Sequence, residues 1–355
     1  MASNQAVVVE SPGKAVVKTV PYPTLPGDDY IIVKTTAYAV NPTDWKHVHF
    51  NGKNPTTGCI VGMDYAGVVA EVGPSVFGTF KTGDRVAGVI HGSNPAKKYN
   101  GAFAKYAPAR AGLQHRIPDN LTDEEAASQG VAMITIGLSL YKDLGLPLPT
   151  APAKTPFFFF IYGGSTAMGI SAIQFAKLSG ATVITTSSPA NSEYILSLGA
   201  DFVLDYKSET LVSDIIALTD GTLRLALDCQ ADDASLTICA KVLKGEKPHL
   251  ASLLLGDRTA IDAINPDLKW DVPLGYYAFG EDFQCFDYFF WEAKQDEYEY
   301  LQRFVPIFWG ALASGKVKPP RLFINQGGSG LEGVIAGMEY LRQGKVRGGK
   351  LVYTA

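Results

Sequence analysis

The stretch "PFFFFIYGGSTAMGISAIQFAKLSGATVITTSS", residues 156–188, limits the possible folds more than any other part of the chain. An apolar run of strand length turns through Gly163 and Gly164, continues with helical periodicity over about 167–179, and ends in the β-branched run "TVITTSS". Two strands joined through one helix lie parallel, and their crossover is right-handed. The alternation then continues with a helix over "NSEYILSLG", the strand "FVLDY", a helix near 209–218, the strand "LALDC", a helix near 232–244, the strand "HLASLLL", and "GYYAFG" as a last strand. Residues 126–285 therefore read as an α/β domain with a doubly wound parallel sheet.

Residues 1–125 have another texture. Short β-like runs such as "AVVVE", "YIIVKTTAYAV" and "DRVAGVI" alternate with Gly/Pro turns, and the first helix-period stretch is "TDEEAASQGVAMITIGLSLYKDL". Thr122 is its expected N-cap, Glu125 completes a capping box, and Asp123 and Glu124 suit the positive end of the helix dipole. Residues 286–355 close the chain with a long amphipathic helix over "EYEYLQRFVPIFWGALASG", the strand "RLFINQ", a helix at "LEGVIAGMEYLRQG" and the strand "KLVYT". The aromatic segment "FDYFFWEAK" reads as core or cleft wall, or as cover for a sheet edge.

Composition excludes several functions. With 46% hydrophobic and 19% charged residues the chain is neither disordered nor collagen-like. A net charge of −4 leaves no basic surplus for a phosphate backbone, so nucleic acid is not an expected partner. The N-terminus lacks the pattern of a secretory signal, and no apolar run approaches a bilayer span, so no membrane partner is expected. Cys59, Cys229, Cys239 and Cys285 form no C-x-x-C pair, which fits free thiols in the cytoplasm.

The loop "GGSTAMG" departs from G-x-G-x-x-G, since Ser165, Thr166 and Ala167 occupy its middle. Two readings stand: a structural strand-to-helix turn, or a phosphate cradle in which amides near Ala167–Gly169 face a pyrophosphate and the Ser165 and Thr166 hydroxyls assist. The end of the next strand favours the cradle and selects NADPH. An acidic residue there would hold a ribose diol and repel a 2′-phosphate, whereas Thr186, Ser187, Ser188 and Asn191 accept one, with Lys207 beside Tyr206 as its cationic partner.

The motifs "AVNPTDWKH", "GMDYAGVVAEVG", "GDRVAG", "GAFAKY", "GGSTAMG" and "QGKVRGGKLV", in this order, resemble the medium-chain dehydrogenase/reductase superfamily over essentially the whole chain. The resemblance implies a GroES-like β domain over 1–125, a Rossmann domain over 126–285, and a return to the first domain over 286–355. Zinc-dependent members carry Cys or Asp in the slot of Asn41 and Gly-His-Glu in place of Gly62, Met63 and Asp64. Asn41 and Met63 do not supply a thiolate and an imidazole, so no metal is expected; His47, His49 and His91 are formal candidates only.

Within the superfamily, "NPTDWKH", "YGGSTA", "LGLPLP" and "YYAFG" look like the trans-acting enoyl reductases of fungal polyketide synthases and polyketide synthase–peptide synthetase hybrids. That resemblance implies NADPH-dependent reduction of the α,β-double bond of an acyl chain bound to the synthase's carrier domain, by a monomer. Quinone oxidoreductases share much of the motif set, and a non-catalytic docking partner of a megasynthase is the second alternative. Lys46 and Thr135 are the implied proton or hydrogen-bond donors. The implied cofactor contacts are Thr43, Asp44, Trp45 and Lys46; Ser165, Thr166, Ala167 and Met168; Ser188, Pro189, Ala190 and Asn191; and Tyr206, Leu253, Leu254, Val346 and Arg347. The acyl groove is expected from Val131, Ala132, Met133, Ile134, Thr135, Ile136, Gly137 and Leu138 on one side, with Tyr276, Tyr277, Ala278, Phe279 and Gly280 opposite.

Overall fold

The structure, a computed structural model, describes residues 3–52, 56–76, 78–285 and 289–355. Phe286, Asp287 and Tyr288 of the aromatic segment lie outside the described residues. The chain forms two compact units. One comprises Met1–Ile134, Tyr276–Gly315 and Pro319–Ala355, the other Thr135–Gly275 with Lys316–Lys318. The boundaries at 126 and 285 read from the sequence thus fall at 135 and 275, because the Gly130–Ile136 helix begins against the β-rich unit and residues 276–285 pack there too.

The second unit holds a six-stranded, all-parallel sheet. Its strands lie in the order Phe202–Asp205, Ala181–Ser187, Phe157–Tyr162, Leu225–Asp228, His249–Ser252, Lys269–Asp271, which is 3-2-1-4-5-6 in chain order. A parallel sheet covered on both faces needs unbroken apolar strands, and Phe160, Ile184, Ala226 and Leu250 are all fully buried in one core. The sixth strand is Lys269–Asp271; "GYYAFG", expected as a strand, is a 3-10 turn over Gly275–Phe279.

The first unit is built on a seven-stranded sheet in which Tyr30–Ala39 pairs with Asp64–Val72, Tyr106–Arg110 and the last strand, Lys350–Thr354. Its core gathers Ile31, Val33, Tyr38, Tyr65, Phe103 and Tyr353. Helix Pro42–His49 escaped the sequence, as did helix Arg258–Ile264 in the other unit, and it interrupts the expected all-β run. Its buried face is Asp44, His47 and Val48, so apolar periodicity gave no sign of it. The stretch 122–144, expected as one helix, is divided into Asp123–Ala127, Gly130–Ile136 and a π-helical Gly137–Asp143. The Thr122–Glu125 capping box starts it as expected. Gly130 lies so close to the strand Arg85–Val89 that a Cβ there would stand 2.1 Å from the Gly88 carbonyl oxygen.

Candidate active site

In the parallel-sheet unit, strand Phe157–Tyr162 leads through the glycine loop into helix Ala167–Leu178. Gly163 turns the chain at φ +83°, and a Cβ on Gly169 would stand 2.3 Å from the Gly163 carbonyl oxygen. Thr166 caps the helix: its hydroxyl accepts from the Gly169 amide (2.9 Å) and donates to the Gly163 carbonyl (2.8 Å). The expectation that Thr166 offers this hydroxyl to a phosphate is therefore corrected, because the turn consumes it. The amides of Ala167 and Met168 in the first turn have no intrahelical acceptor, and they carry the positive end of the helix dipole. Ser165 is half-buried.

The end of strand Ala181–Ser187 also differs from expectation. Thr186 and Ser187 are only 1% and 2% exposed. The Thr186 hydroxyl accepts from the Gly163 amide (2.9 Å) and its carbonyl from the Gly164 amide (2.9 Å), so Thr186 braces the glycine loop and does not face a phosphate. Ser188 precedes helix Pro189–Ser197, where its side chain makes no capping bond, and Asn191 donates to its hydroxyl (3.3 Å). Pro189 and Ala190 open that helix on the surface. Tyr206 is exposed, with the Lys207 ammonium 5.8 Å from its ring centre. Leu253 is half-buried and Leu254 exposed in this same unit, while Val346 packs on the core of the β-rich unit beside an exposed Arg347.

In the β-rich unit, Asn41 precedes helix Pro42–His49, and Pro42 at its first position needs no hydrogen-bond acceptor. Asp44 turns its carboxylate back onto the Asn41 amide (2.6 Å). Burial, reinforced by the nearby Asp64 charge, pushes the Asp44 carboxyl up to about 8. Asp44 is 2% exposed, so a cofactor contact expected of it falls to its backbone. Asn41 donates its side-chain amide to Asp64 (2.8 Å), and Lys350 donates to both Asn41 and Asp64, the latter at 3.0 Å. The other Asp64 oxygen accepts the Val131 amide (2.6 Å) at the start of helix Gly130–Ile136. Asp64 is 0% and Lys350 6% exposed, so this is a buried ion pair binding four segments together. Nothing in the sequence around Lys350 announced it; a lysine opening an edge-like strand reads as solvated.

Thr43, Trp45 and Lys46 are half-buried on the same helix. Lys46 has no carboxylate partner among the described residues, and burial lowers its ammonium's pKa. Thr43 is hydrogen-bonded to Tyr276 (Oγ1 to OH, 2.5 Å). Tyr276 is 7% exposed, so it is not the open groove wall expected of it; its ring stacks on His91 (4.7 Å), as does that of Phe279 (5.2 Å). Ala278 is buried as well, which leaves Tyr277 and Gly280 as the partly accessible members of that turn.

The residues expected along the other side of the groove divide between the units. Val131, Ala132, Met133 and Ile134 belong to the β-rich unit, where only Val131 is half-buried and the other three are buried. Thr135, Ile136, Gly137 and Leu138 belong to the other, and only Thr135 keeps appreciable exposure, its carbonyl accepting from Ser139 (2.6 Å).

A dinucleotide fits the parallel-sheet unit, since its glycine loop leaves no room for side chains and opens on a helix start. A zinc ion does not fit the residues around Asn41. The Lys350 ammonium already balances the Asp64 charge and occupies the Asn41 side-chain oxygen, and among the described residues no three His, Cys, Asp or Glu side chains converge on a metal position. His47 and His91 are buried among aromatic rings and His49 is exposed.

A glycine-loop sheet of order 3-2-1-4-5-6 on one chain with this β-rich sheet defines a medium-chain dehydrogenase/reductase. The model of the alcohol dehydrogenase GroES-like domain matches residues 27–119, and that of the zinc-binding dehydrogenases residues 167–246. The chain belongs to the trans-enoyl reductase family. It is 38% identical to trans-enoyl reductase resD of Aspergillus sclerotiorum over 98% of this chain and 99% of that one, and 42% identical to TOXD of Cochliobolus carbonum over 80% and 93%. Solved structures share the fold. CurK enoyl reductase superposes with a TM-score of 0.77 at 17% identity, and mycobacterial Rv1454c, solved with NADPH, with 0.73 at 21%; each alignment covers 99% of this chain and 99% or more of the other.

Proposed function

We propose that this chain reduces the α,β-double bond of an acyl thioester carried by a polyketide synthase or a hybrid synthetase, with NADPH as reductant. The trans-enoyl reductases to which it is similar support the reaction class, and Lys46 carries the reading of the site: a half-buried ammonium without a counter-ion among the described residues, on a helix whose start is fixed by buried polar and charged groups. The nicotinamide, when bound, supplies the hydride that becomes the bond to the β carbon. The chain's own task is the electron pair that this addition pushes onto the thioester oxygen. Lys46 donates a hydrogen bond to that enolate oxygen, and a proton then reaches the α carbon, from Lys46 or from water relayed by it. Thr135 is a second candidate donor. Ala167 and Met168 amides hold the pyrophosphate, while Ser188, Asn191, Tyr206 and Lys207 accept the 2′-phosphate. Apolar side chains at Val131 and Tyr277 bury acyl methylenes, each contributing about 0.8 kcal/mol when removed from water.

Monomeric action in the cytoplasm accords with this reading. The sheet edge Lys269–Asp271 is three residues long and charged at both ends, a poor template for a second copy. No described helix is long and apolar enough to cross a membrane. The deciding assay follows NADPH and NADH oxidation with crotonyl and 2-methyl-enoyl thioesters beside a simple quinone. Turnover of thioesters with a preference of more than about tenfold for NADPH is expected. Turnover of the quinone alone would make the chain a quinone reductase, and failure to bind NADPH would leave only a docking role.

A further inference from the structure

We infer that Tyr276 is a positioning residue, whose hydroxyl commits the single Thr43 hydroxyl proton and thereby sets the hydrogen-bonding face that helix Pro42–His49 presents. The inference rests on the reductase reading above and adds to it a residue whose ring is almost wholly buried.

The direction of the hydrogen bonds follows from one atom that has no choice. His47 Nδ1 lies 2.9 Å from the Thr43 carbonyl oxygen, and a carbonyl only accepts, so Nδ1 bears the hydrogen. The imidazole is neutral, since burial pushes it down to about 4, and its Nε2 is then a lone-pair acceptor. Two groups face that lone pair, the Tyr276 hydroxyl at 3.4 Å and the Cys285 thiol at 3.8 Å, and the hydroxyl, the stronger donor, points its hydrogen there. Its oxygen is left to accept, and Thr43 Oγ1 at 2.5 Å is the donor. Protons thus run from Thr43 to Tyr276 to His47, and His47 returns one to the backbone of Thr43. Thr43 is half-buried, and its Oγ1, which also lies 3.1 Å from the hydrogen-bearing Nδ1 of His47, presents lone pairs only. It takes a hydrogen-bond donor such as a ribose hydroxyl or a carboxamide, and it disfavours an anion.

Tyr276 can hold this arrangement because other residues hold Tyr276. Arg110 donates to the Phe279 carbonyl at the end of the same turn and pairs with Asp29 (2.7 Å), while the Tyr276 ring lies on His91 with an interplanar angle of 18°. Neither anchor uses the hydroxyl, so Tyr276→Phe removes the hydrogen bonds and keeps the turn.

The test is a double-mutant cycle of Tyr276→Phe and Thr43→Val, read as kcat and KM for a crotonyl thioester, the dissociation constant of NADPH by fluorescence quenching, and melting temperature. Each single variant should lower kcat about tenfold, a loss of the size expected when a positioning contact is removed, with KM little changed. The double variant should be no worse than the poorer single one, because both delete the same bond. Thr43→Ser, which keeps a hydroxyl, should recover most of what Thr43→Val loses. Multiplying losses would overturn the inference, as would a rise in KM at full kcat, which would make Tyr276 a groove wall, or a lower melting temperature with kcat intact. Nitrogen-15 spectra of histidine-labelled protein supply a second reading that needs no turnover: the His47 signals should show hydrogen on Nδ1 and a shifted Nε2 in Tyr276→Phe. Hydrogen on Nε2 in the parent protein refutes the proton order. A parent protein inactive on thioesters would overturn the proposed reaction, and the spectra together with the NADPH cycle would still judge the role of Tyr276.

Discussion

Two helix starts in this molecule do comparable work with different materials. The start of Ala167–Leu178 is assembled mainly within seven residues, where two glycines bring backbone to backbone and the Thr166 hydroxyl closes the turn, with Thr186 of the next strand as its brace. The start of Pro42–His49 rests on Asn41 and Asp44, but Asn41 is held by Asp64 and by Lys350, which is 309 residues away in sequence. The first arrangement is built of neutral groups; the second encloses charges that are stable only together. A local turn yields gradually when altered, whereas a buried ion pair, once halved, leaves a charge with nowhere to go.

The largest effect that would break this contrast is therefore at Lys350. Lys350→Met should destabilise the chain by about 3–5 kcal/mol in urea unfolding, with part of the loss recovered by adding Asp64→Asn. A cost no greater than that of a surface lysine would mean that water, not Lys350, balances Asp64. Next comes Lys46, which stands on the helix so anchored but takes no part in the anchoring. Lys46→Met should lower kcat for enoyl thioesters about a hundredfold while the unfolding midpoint stays put; parallel losses of stability and turnover would place Lys46 in the scaffold.

A pH experiment sharpens the comparison at the neighbouring aromatic cluster. Burial lowers the pKa of His91 from 6.5 to about 3, so the unfolded chain binds a proton that the folded one refuses. Stability from this group is present above pH 6.5 and is lost on acidification towards 3, by at most about 1.4 kcal/mol per pH unit. His91→Phe preserves stacking on Tyr276 and Phe279 and removes that loss, so its stability relative to the parent should rise as pH falls through this window. Parallel pH profiles would show that His91 is protonated in the fold. The smallest effect belongs to the glycine loop: Thr166→Ala should cost about 1 kcal/mol as a lost helix cap and weaken NADPH a few-fold. A loss as large as that of Lys350→Met would mean that the loop, too, depends on distant support.

The parallel sheet was legible in the sequence as far as its fifth strand, because those strands and helices are continuous periodic segments and alternation alone dictates parallel pairing; helix Arg258–Ile264 and the short strand Lys269–Asp271 were not read. The capping box at Thr122 and Glu125 was legible for the same reason, as both partners lie within one turn. The short helix Pro42–His49 was not, because its buried face is polar and is satisfied by side chains from elsewhere. "GYYAFG" misled because aromatic residues suit a strand as well as a packed turn, and only His91 and Arg110, distant in sequence, select the turn. Thr186 was misread as a phosphate contact because the letters of a strand end do not say which hydroxyl the preceding loop will claim.

By itself, the sequence determined the family, the two sheet types, the glycine loop and the absence of a thiolate and imidazole at Asn41 and Met63, since each is written in neighbouring residues. Only the tertiary structure decided that Asp44 is sealed in, that Lys350 neutralises Asp64, and that Tyr276 holds Thr43 and does not line an open wall. Burial and the pairing of buried charges depend on which distant segments meet, and no short window of sequence records that meeting.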